Sequence, residues 1–235
     1  MKKSLMAVAV SFALLDASGI ALAAGDVSSG QELSGSCASC HGGDGNSMMP
    51  LFPKLAAQNE GYLVKQLHAF KDGSRNDATM NSMVAGLSDQ DIQDIAAFYA
   101  AQTVSENAAP QVNPDDLDDI DDDDALSADE KAAAKQVLQD QQATLLATGY
   151  DVYRNGDLDN EISACIACHG PNGEGNEPAS FPALKGQHAD YLKKTLADFK
   201  TGARSNNADN MMHMIAKKMS EEEIKAMAFY VSTMK

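Results

Sequence analysis

Cys37-Ala38-Ser39-Cys40-His41-Gly42 and Cys165-Ile166-Ala167-Cys168-His169-Gly170 repeat one Cys-x-x-Cys-His pattern at an offset of 128 residues. One chemistry uses every member of such a pattern. The two thiols add to the vinyl groups of a haem, and the adjoining imidazole ligates its iron. Three other readings compete. A four-thiolate zinc site explains neither the histidine after each second cysteine nor the placing of one pair per repeat. A redox-active dithiol wants a βαβ setting, which the sequence lacks. A structural disulfide is the third. The duplicated motif points to two covalently bound haem c groups, with Cys37, Cys40, Cys165 and Cys168 binding the cofactors and His41 and His169 on the irons.

A small haem domain that is closed to substrate needs a second axial ligand, and methionine is the common one. Ten methionines follow the first 23 residues, and a helix-face methionine is more often packing material than a ligand. The repeat selects among them. Met80 lies eight residues before Ser88, and Met212 lies eight before Ser220. Met83 aligns with Ile215, Met211 with Thr79 and Met214 with Ser82, so Met80 and Met212 are the paired candidates. His68, His188 and His213 align with Ala197, Asn59 and Asn81 and read as surface or packing residues. His213, next to Met212, is the one that could compete for iron.

These groups must be positioned by helices. Phe52–Arg75 and Phe181–Arg204 match at 12 of 24 positions at an offset of 129, so the chain holds one domain twice. Ser88 and Ser220 open capping-box patterns, with Asp91 and Glu223 at the third helical position. Ile92, Ile95, Ala96 and Tyr99 then follow the i, i+3, i+4, i+7 spacing of a buried helix face, as do Ile224, Met227, Ala228 and Val231. Middle helices are predicted over about 59–71 and 188–200, and a further helix from Ala128 to about Thr148 behind the cap Ser127. No stretch alternates like a strand. The architecture is all-α.

Residues 1–23 read as a signal peptide: Lys2 and Lys3, an apolar run from Leu5 to Leu15, and Ala21-Leu22-Ala23 as the cleavage site. Nothing later is apolar enough to span a bilayer, which predicts a periplasmic protein without an integral span and leaves peripheral membrane association open. Composition narrows the class. The chain has 235 residues, 6% aromatic residues and no Trp, so two small domains need a cofactor to complete their cores. A net charge of −16 excludes a nucleic-acid binder. Domain 1 spans 24–104, the acidic linker and connecting helix 105–143, and domain 2 144–235, with net charges of −5, −10 and −2. Asp115–Asp124 holds eight Asp in ten residues and reads as an extended, solvated spacer rather than a calcium site or docking tail. A protease is expected to cut near 105–126 and free two haem-bearing fragments.

With its two CxxCH motifs, each followed by F-P-x-L-x-x-Q-x-x-x-Y-L and F-K-x-G-x-R, the chain resembles the two-haem cytochromes c4 over about 26–104 and 144–235. The resemblance implies two tandem class I cytochrome c domains related by a pseudo-twofold axis, with haem edges facing across the interface. It implies His/Met ligation, mapped onto His41 with Met80 and His169 with Met212. It also implies that the carbonyls of Pro53 and Pro182 accept the ring protons of the two ligand histidines. The Asp-rich linker departs from the compact connection of that family.

These readings predict a non-enzymatic carrier passing single electrons between redox proteins, from a quinol-oxidising bc complex to a haem-copper terminal oxidase. An electron-accepting subunit of a periplasmic dehydrogenase, such as flavocytochrome sulfide dehydrogenase, is the alternative. A two-haem peroxidase is a third possibility and would need one labile iron ligand. The uneven charge of the two domains would allow separate docking of donor and acceptor.

Overall fold

Residues 24–107 and 119–235 are described by the computed structural model. The signal-peptide reading, and residues 115–118 of the Asp run, lie outside them. In the first half, α1 (Val27–Leu33), α2 (Ala38–His41), α3 (Glu60–Lys71), α4 (Ala78–Val84) and α5 (Asp89–Ala100) follow one another. The second half has α6 (Ala128–Asn155), α7 (Ile166–His169), α8 (Ala189–Thr201), α9 (Met211–Ala216) and α10 (Glu221–Ser232). The described residues contain no strand, and two isolated bridges, Asp157 with Ile162 and Asn176 with Phe181, pin loops of the second half.

Helix starts fall where local chemistry puts them. Ser88, Ser127 and Ser220 each accept from the third backbone N–H of their helix, and Asp91, Glu130 and Glu223 each reach back to the cap N–H. Each such box satisfies two N–H groups that the helix itself leaves unpaired. The predicted faces are the buried ones: Ile92 and Ala96 are fully buried on α5, and Ile224, Met227, Ala228 and Val231 are buried on α10. They build two separate cores, one around Leu63, Ile95, Phe98 and Tyr99, the other around Tyr153, Leu192, Ile224 and Val231. Fully burying one such side chain stabilises by about 1.5–3 kcal/mol.

In each half the first and last helices cross at a glycine. A Cβ on Gly30 would sit 1.9 Å from the Asp94 carbonyl oxygen, and one on Gly149 would sit 2.2 Å from that of Ala226. Both are far inside van der Waals contact, so α1 meets α5, and α6 meets α10, backbone to backbone.

Two expectations need correction. The helix from Ala128 does not stop near Thr148. It continues to Asn155, because its last turns bury Gly149, Val152 and Tyr153 against the second core. Nor is the whole Asp run extended: residues 119–122 form a helical turn. Lys131 donates to the Asp121 carbonyl, and the Lys135 ammonium lies 2.6 Å from the Asp121 carboxylate. Cations on α6 therefore offset the repulsion within the run.

Candidate haem centres

Each motif is a single helical turn begun by its first cysteine. The His41 N–H donates to the Cys37 carbonyl at 3.0 Å, and His169 N–H to Cys165 at 2.9 Å, so thiols and ring share one short, rigid piece of backbone. Gly42 and Gly170 end these turns at φ 81°, ψ 151° and φ 78°, ψ 162°, a region open to glycine alone. This explains the glycine after each histidine. All four cysteines are free thiols, the form that adds to a haem vinyl group. Burial pushes the Cys37 thiol up and that of Cys165 up to about 12, so before attachment both are protonated.

Both motif histidines are buried and held in the same way. His41 Nδ1 lies 2.9 Å from the Pro53 carbonyl oxygen, and His169 Nδ1 lies 3.0 Å from that of Pro182. A carbonyl can only accept, so Nδ1 carries the proton and Nε2 keeps a lone pair. Burial also lowers the pKa of both rings against the opposing pull of the proline carbonyl, keeping them neutral as a metal requires. The Phe52 ring stands edge-on to His41 with centroids 6.3 Å apart, and Phe181 is tilted against His169 at 6.5 Å.

Met80 and Met212 sit near the starts of α4 and α9, and both are half-buried. Their neighbours differ: Met83, Met211 and Met214 are 42%, 37% and 48% exposed. Met219 and Met227 are core residues. The Met80 N–H donates to Asp77 Oδ1 at 3.0 Å, and the Met212 N–H to Asn207 Oδ1 at 2.9 Å. Domain 2 has three extra residues between Arg204 and Met212 relative to Arg75 and Met80. They are taken up in a 3-10 turn, Ala208–Asn210, with Asp209 and Asn210 left-handed at φ 52°, so the lead into the last helix stays equal.

His213 is accounted for without a metal. Its Nδ1 donates to the Phe199 carbonyl at 2.7 Å. Asn81, its repeat partner, donates to the carbonyl of Phe70, which is Phe199's own counterpart. His188 Nε2 is engaged by the Ser47 carbonyl at 2.8 Å, and His68 lies 4.0 Å from Asp89 near the surface.

Sequence reasoning placed Tyr99 on a buried helix face but missed that it lies beside the first motif, and it missed Tyr153 beside the second. Tyr153 Oη donates to the Gly170 carbonyl at 2.6 Å. Tyr99 Oη is buried with no hydrogen-bond partner. Burial raises the pKa of both phenols. One comes from the last helix of its domain and the other from the first, so no repeat alignment pairs them.

The other missed feature is the set of hydrogen bonds that builds the interface. Several identities of the repeat pair across it in reciprocal fashion. Gln58 Nε2 donates to the Ala183 carbonyl at 2.9 Å while its Oε1 accepts from Ala183 N–H at 2.7 Å. Gln187 makes the same two bonds to Lys54, at 2.9 and 2.8 Å. Arg75 donates to Tyr191 Oη at 3.2 Å, and Arg204 to Tyr62 Oη at 2.9 Å. Both guanidiniums stack on a phenylalanine, Arg75 on Phe70 and Arg204 on Phe199, and both reach Gln66 Oε1. Burial pushes the Tyr191 phenol up, but the two guanidiniums outweigh it and bring the group down to about 8. The interface also takes in the start of the acidic segment. Buried Lys54 donates to the Ser105 carbonyl and Asn107 Oδ1, and Asn107 Nδ2 donates to the carbonyls of Gly186, Gln187 and Ser232. Residues 105–107 therefore belong to the interface and not to a free spacer.

The donor set suits a covalently bound haem in each half. Among the described residues no three His, Cys, Asp or Glu side chains gather to hold a bare metal ion, so the cysteine pairs build no zinc site. Each motif instead offers two free thiols and a neutral ring with Nε2 unprotonated, and each half offers a half-buried methionine at one common lead. Among the described residues no helix is long and apolar enough to cross a membrane.

Comparison with known proteins agrees. The sequence profile of the Cytochrome c family matches residues 27–103 and 146–235. The chain is 40% identical over 228 residues to "Cytochrome c4" of Azotobacter vinelandii, covering 92% of this chain and 93% of that one. It is 34% identical over 195 residues to "Thiosulfate dehydrogenase electron acceptor" of Stutzerimonas stutzeri, covering 83% and 76%. The crystal structure of reduced recombinant cytochrome c4 from Pseudomonas stutzeri superposes with a TM-score of 0.74 at 37% identity, covering 90% of this chain and 100% of that one. A chain with this duplicated helical fold, and one covalent haem c in each half, belongs to the two-haem cytochrome c4 family and is an electron carrier.

Proposed function

We propose that His41 with Met80, and His169 with Met212, are the axial ligand pairs of the two irons, and that Cys37, Cys40, Cys165 and Cys168 form the four thioether links. One observation carries this reading: both motif histidines are buried and donate Nδ1–H to the carbonyl of an equivalent proline, at 2.9 and 3.0 Å. The bound haem supplies a one-electron couple. The protein's part is to fix the ring, exclude water, and set how strongly the imidazole donates. With an imidazole and a thioether on each iron no position is open to substrate, so the chemistry is outer-sphere transfer and not peroxidase turnover.

In this reading the protein is periplasmic, freed from residues 1–23, and passes single electrons from a quinol-oxidising bc complex to a haem-copper terminal oxidase. The 40% identical cytochrome c4 that matches this chain nearly end to end supports the carrier part of this reading. Redox titration with native membranes tests it: the reduced protein should be reoxidised through a cyanide-sensitive oxidase, and no oxidation would sink the assignment. The 34% identical thiosulfate dehydrogenase electron acceptor favours a second reading, in which a periplasmic dehydrogenase is the donor. Copurification with such an enzyme, and reduction by it alone, would select that reading.

A further inference from the structure

The two reciprocal glutamine pairs end on particular peptide groups. Pro53 C=O, which accepts from His41 Nδ1 at 2.9 Å, belongs to the same peptide unit as Lys54 N–H, which donates to Gln187 Oε1 at 2.8 Å. In the other half, Pro182 C=O accepts from His169 Nδ1 at 3.0 Å, and Ala183 N–H of that peptide donates to Gln58 Oε1 at 2.7 Å. No peptide bond among the described residues is cis. The C=O and N–H of each unit therefore point in opposite directions, with the histidine on one side and the opposite domain's glutamine on the other.

Each chain of bonds runs from an imidazole, through one polarisable amide, to a carboxamide of the other domain. Hydrogen bonds in series strengthen one another, and burial enhances the effect. An acceptor on the N–H side shifts electron density toward the carbonyl oxygen and tightens the Nδ1–H bond. A tighter bond makes the ring a stronger donor to a metal on Nε2. The acceptors are fixed, because Gln187 Oε1 also accepts from His188 N–H and Gln58 Oε1 from Asn59 N–H, both at 3.0 Å. Each Nε2 is engaged in turn by the carbonyl of Lys54 or Ala183.

We propose that Gln187 and Gln58 are positioning residues that tune, each from its own domain, the axial histidine of the other domain. Gln187 acts on His41 and Gln58 on His169. Docking the domains then sets both irons' ligand strength, beyond holding the halves together. The proposal rests on the axial assignment above. A stronger histidine donor favours oxidised iron, so losing the glutamine acceptor raises the potential of the haem in the opposite domain.

The test uses the full haem-bearing protein and the single variants Gln187→Met and Gln58→Met, which keep side-chain length and remove the acceptor. Potentials of the two haems are read separately, with the ring Nδ1–H proton resonances of the reduced state. Gln187→Met should raise the domain 1 potential and move the His41 ring proton upfield, leaving domain 2 nearly unchanged. Gln58→Met should do the reverse. Shifts in the mutated domain's own haem, equal shifts in both, or none would overturn the proposal. The unmutated protein gives a check that needs no variant: Lys54 and Ala183 amide protons should exchange slowly, and fast exchange of either would also overturn it. Failure of the axial assignment is distinguishable, since the unmutated protein would then lack the spectrum of a histidine-ligated haem in one or both domains.

Discussion

The two halves agree where a side chain must reach the cofactor or the other half, and differ where only backbone needs tying. His41 and His169 meet equivalent prolines, and Gln58 and Gln187 make equivalent pairs of bonds across the interface. Against that, Asn81 is replaced by His213 for one carbonyl bond, and the Asp77 cap of α4 by a left-handed turn ahead of α9. Lys54, which ties residues 105 and 107 to the interface, faces Ala183 in the repeat, because only one half has a connecting segment to hold. Duplication preserves geometry around the motif histidines and across the interface, and lets its scaffolding drift.

The largest test of that comparison removes one cofactor. Replacing Cys37 and Cys40 by Ala should halve the haem content by mass and absorbance and leave domain 2 loaded. Haem content unchanged with stoichiometric zinc would refute the cytochrome chemistry. Next in size is ligation. Met212→Ala should abolish the sulfur–iron absorption of the second haem and lower its potential, as Met80→Ala should for the first. Met211→Ala and Met214→Ala alter exposed residues, so each should cost within about 0.5 kcal/mol and leave the band intact. A band lost with either neighbour and kept without Met212 would break the pairing drawn from the repeat.

Smaller effects probe the scaffold. Gly30→Ala and Gly149→Ala drive a methyl into a carbonyl at a helix crossing, and each should destabilise its own domain by about 1–3 kcal/mol in denaturant titrations followed at that domain's haem. His213→Asn installs the domain 1 residue and should be nearly silent, whereas His213→Ala leaves the Phe199 carbonyl without its partner and should cost about 1 kcal/mol. A bis-histidine spectrum in the unmutated protein that vanishes in His213→Asn would instead put His213 on the iron. Least of all should change when the chain is cut once inside the Asp-rich segment. The expectation of two freed fragments gives way to halves that elute together in gel filtration, because the pairs at Gln58, Gln187, Arg75 and Arg204 do not run through that segment. Halves that separate would mean that these bonds hold only while the chain is intact.

The sequence by itself determined whatever depends on near neighbours. The cysteine spacing, the capping serines and the apolar faces of α5 and α10 follow from periods of three to four residues, so two helical haem domains were legible before any coordinates. Repeat identity even marked Gln58, Gln187, Tyr62, Tyr191, Arg75 and Arg204 as special. Their role was not legible, because each pairs with a residue more than 100 positions away, and nothing local distinguishes a bond inside a domain from one across two. The tertiary structure alone decided that the glutamines sit behind the proline peptides, that Gly30 and Gly149 mark helix crossings, and that Tyr99 and Tyr153 reach the motifs from opposite ends of their domains. Such contacts are fixed by how whole helices pack, and that packing is a property of the assembled cores and not of any short stretch of chain.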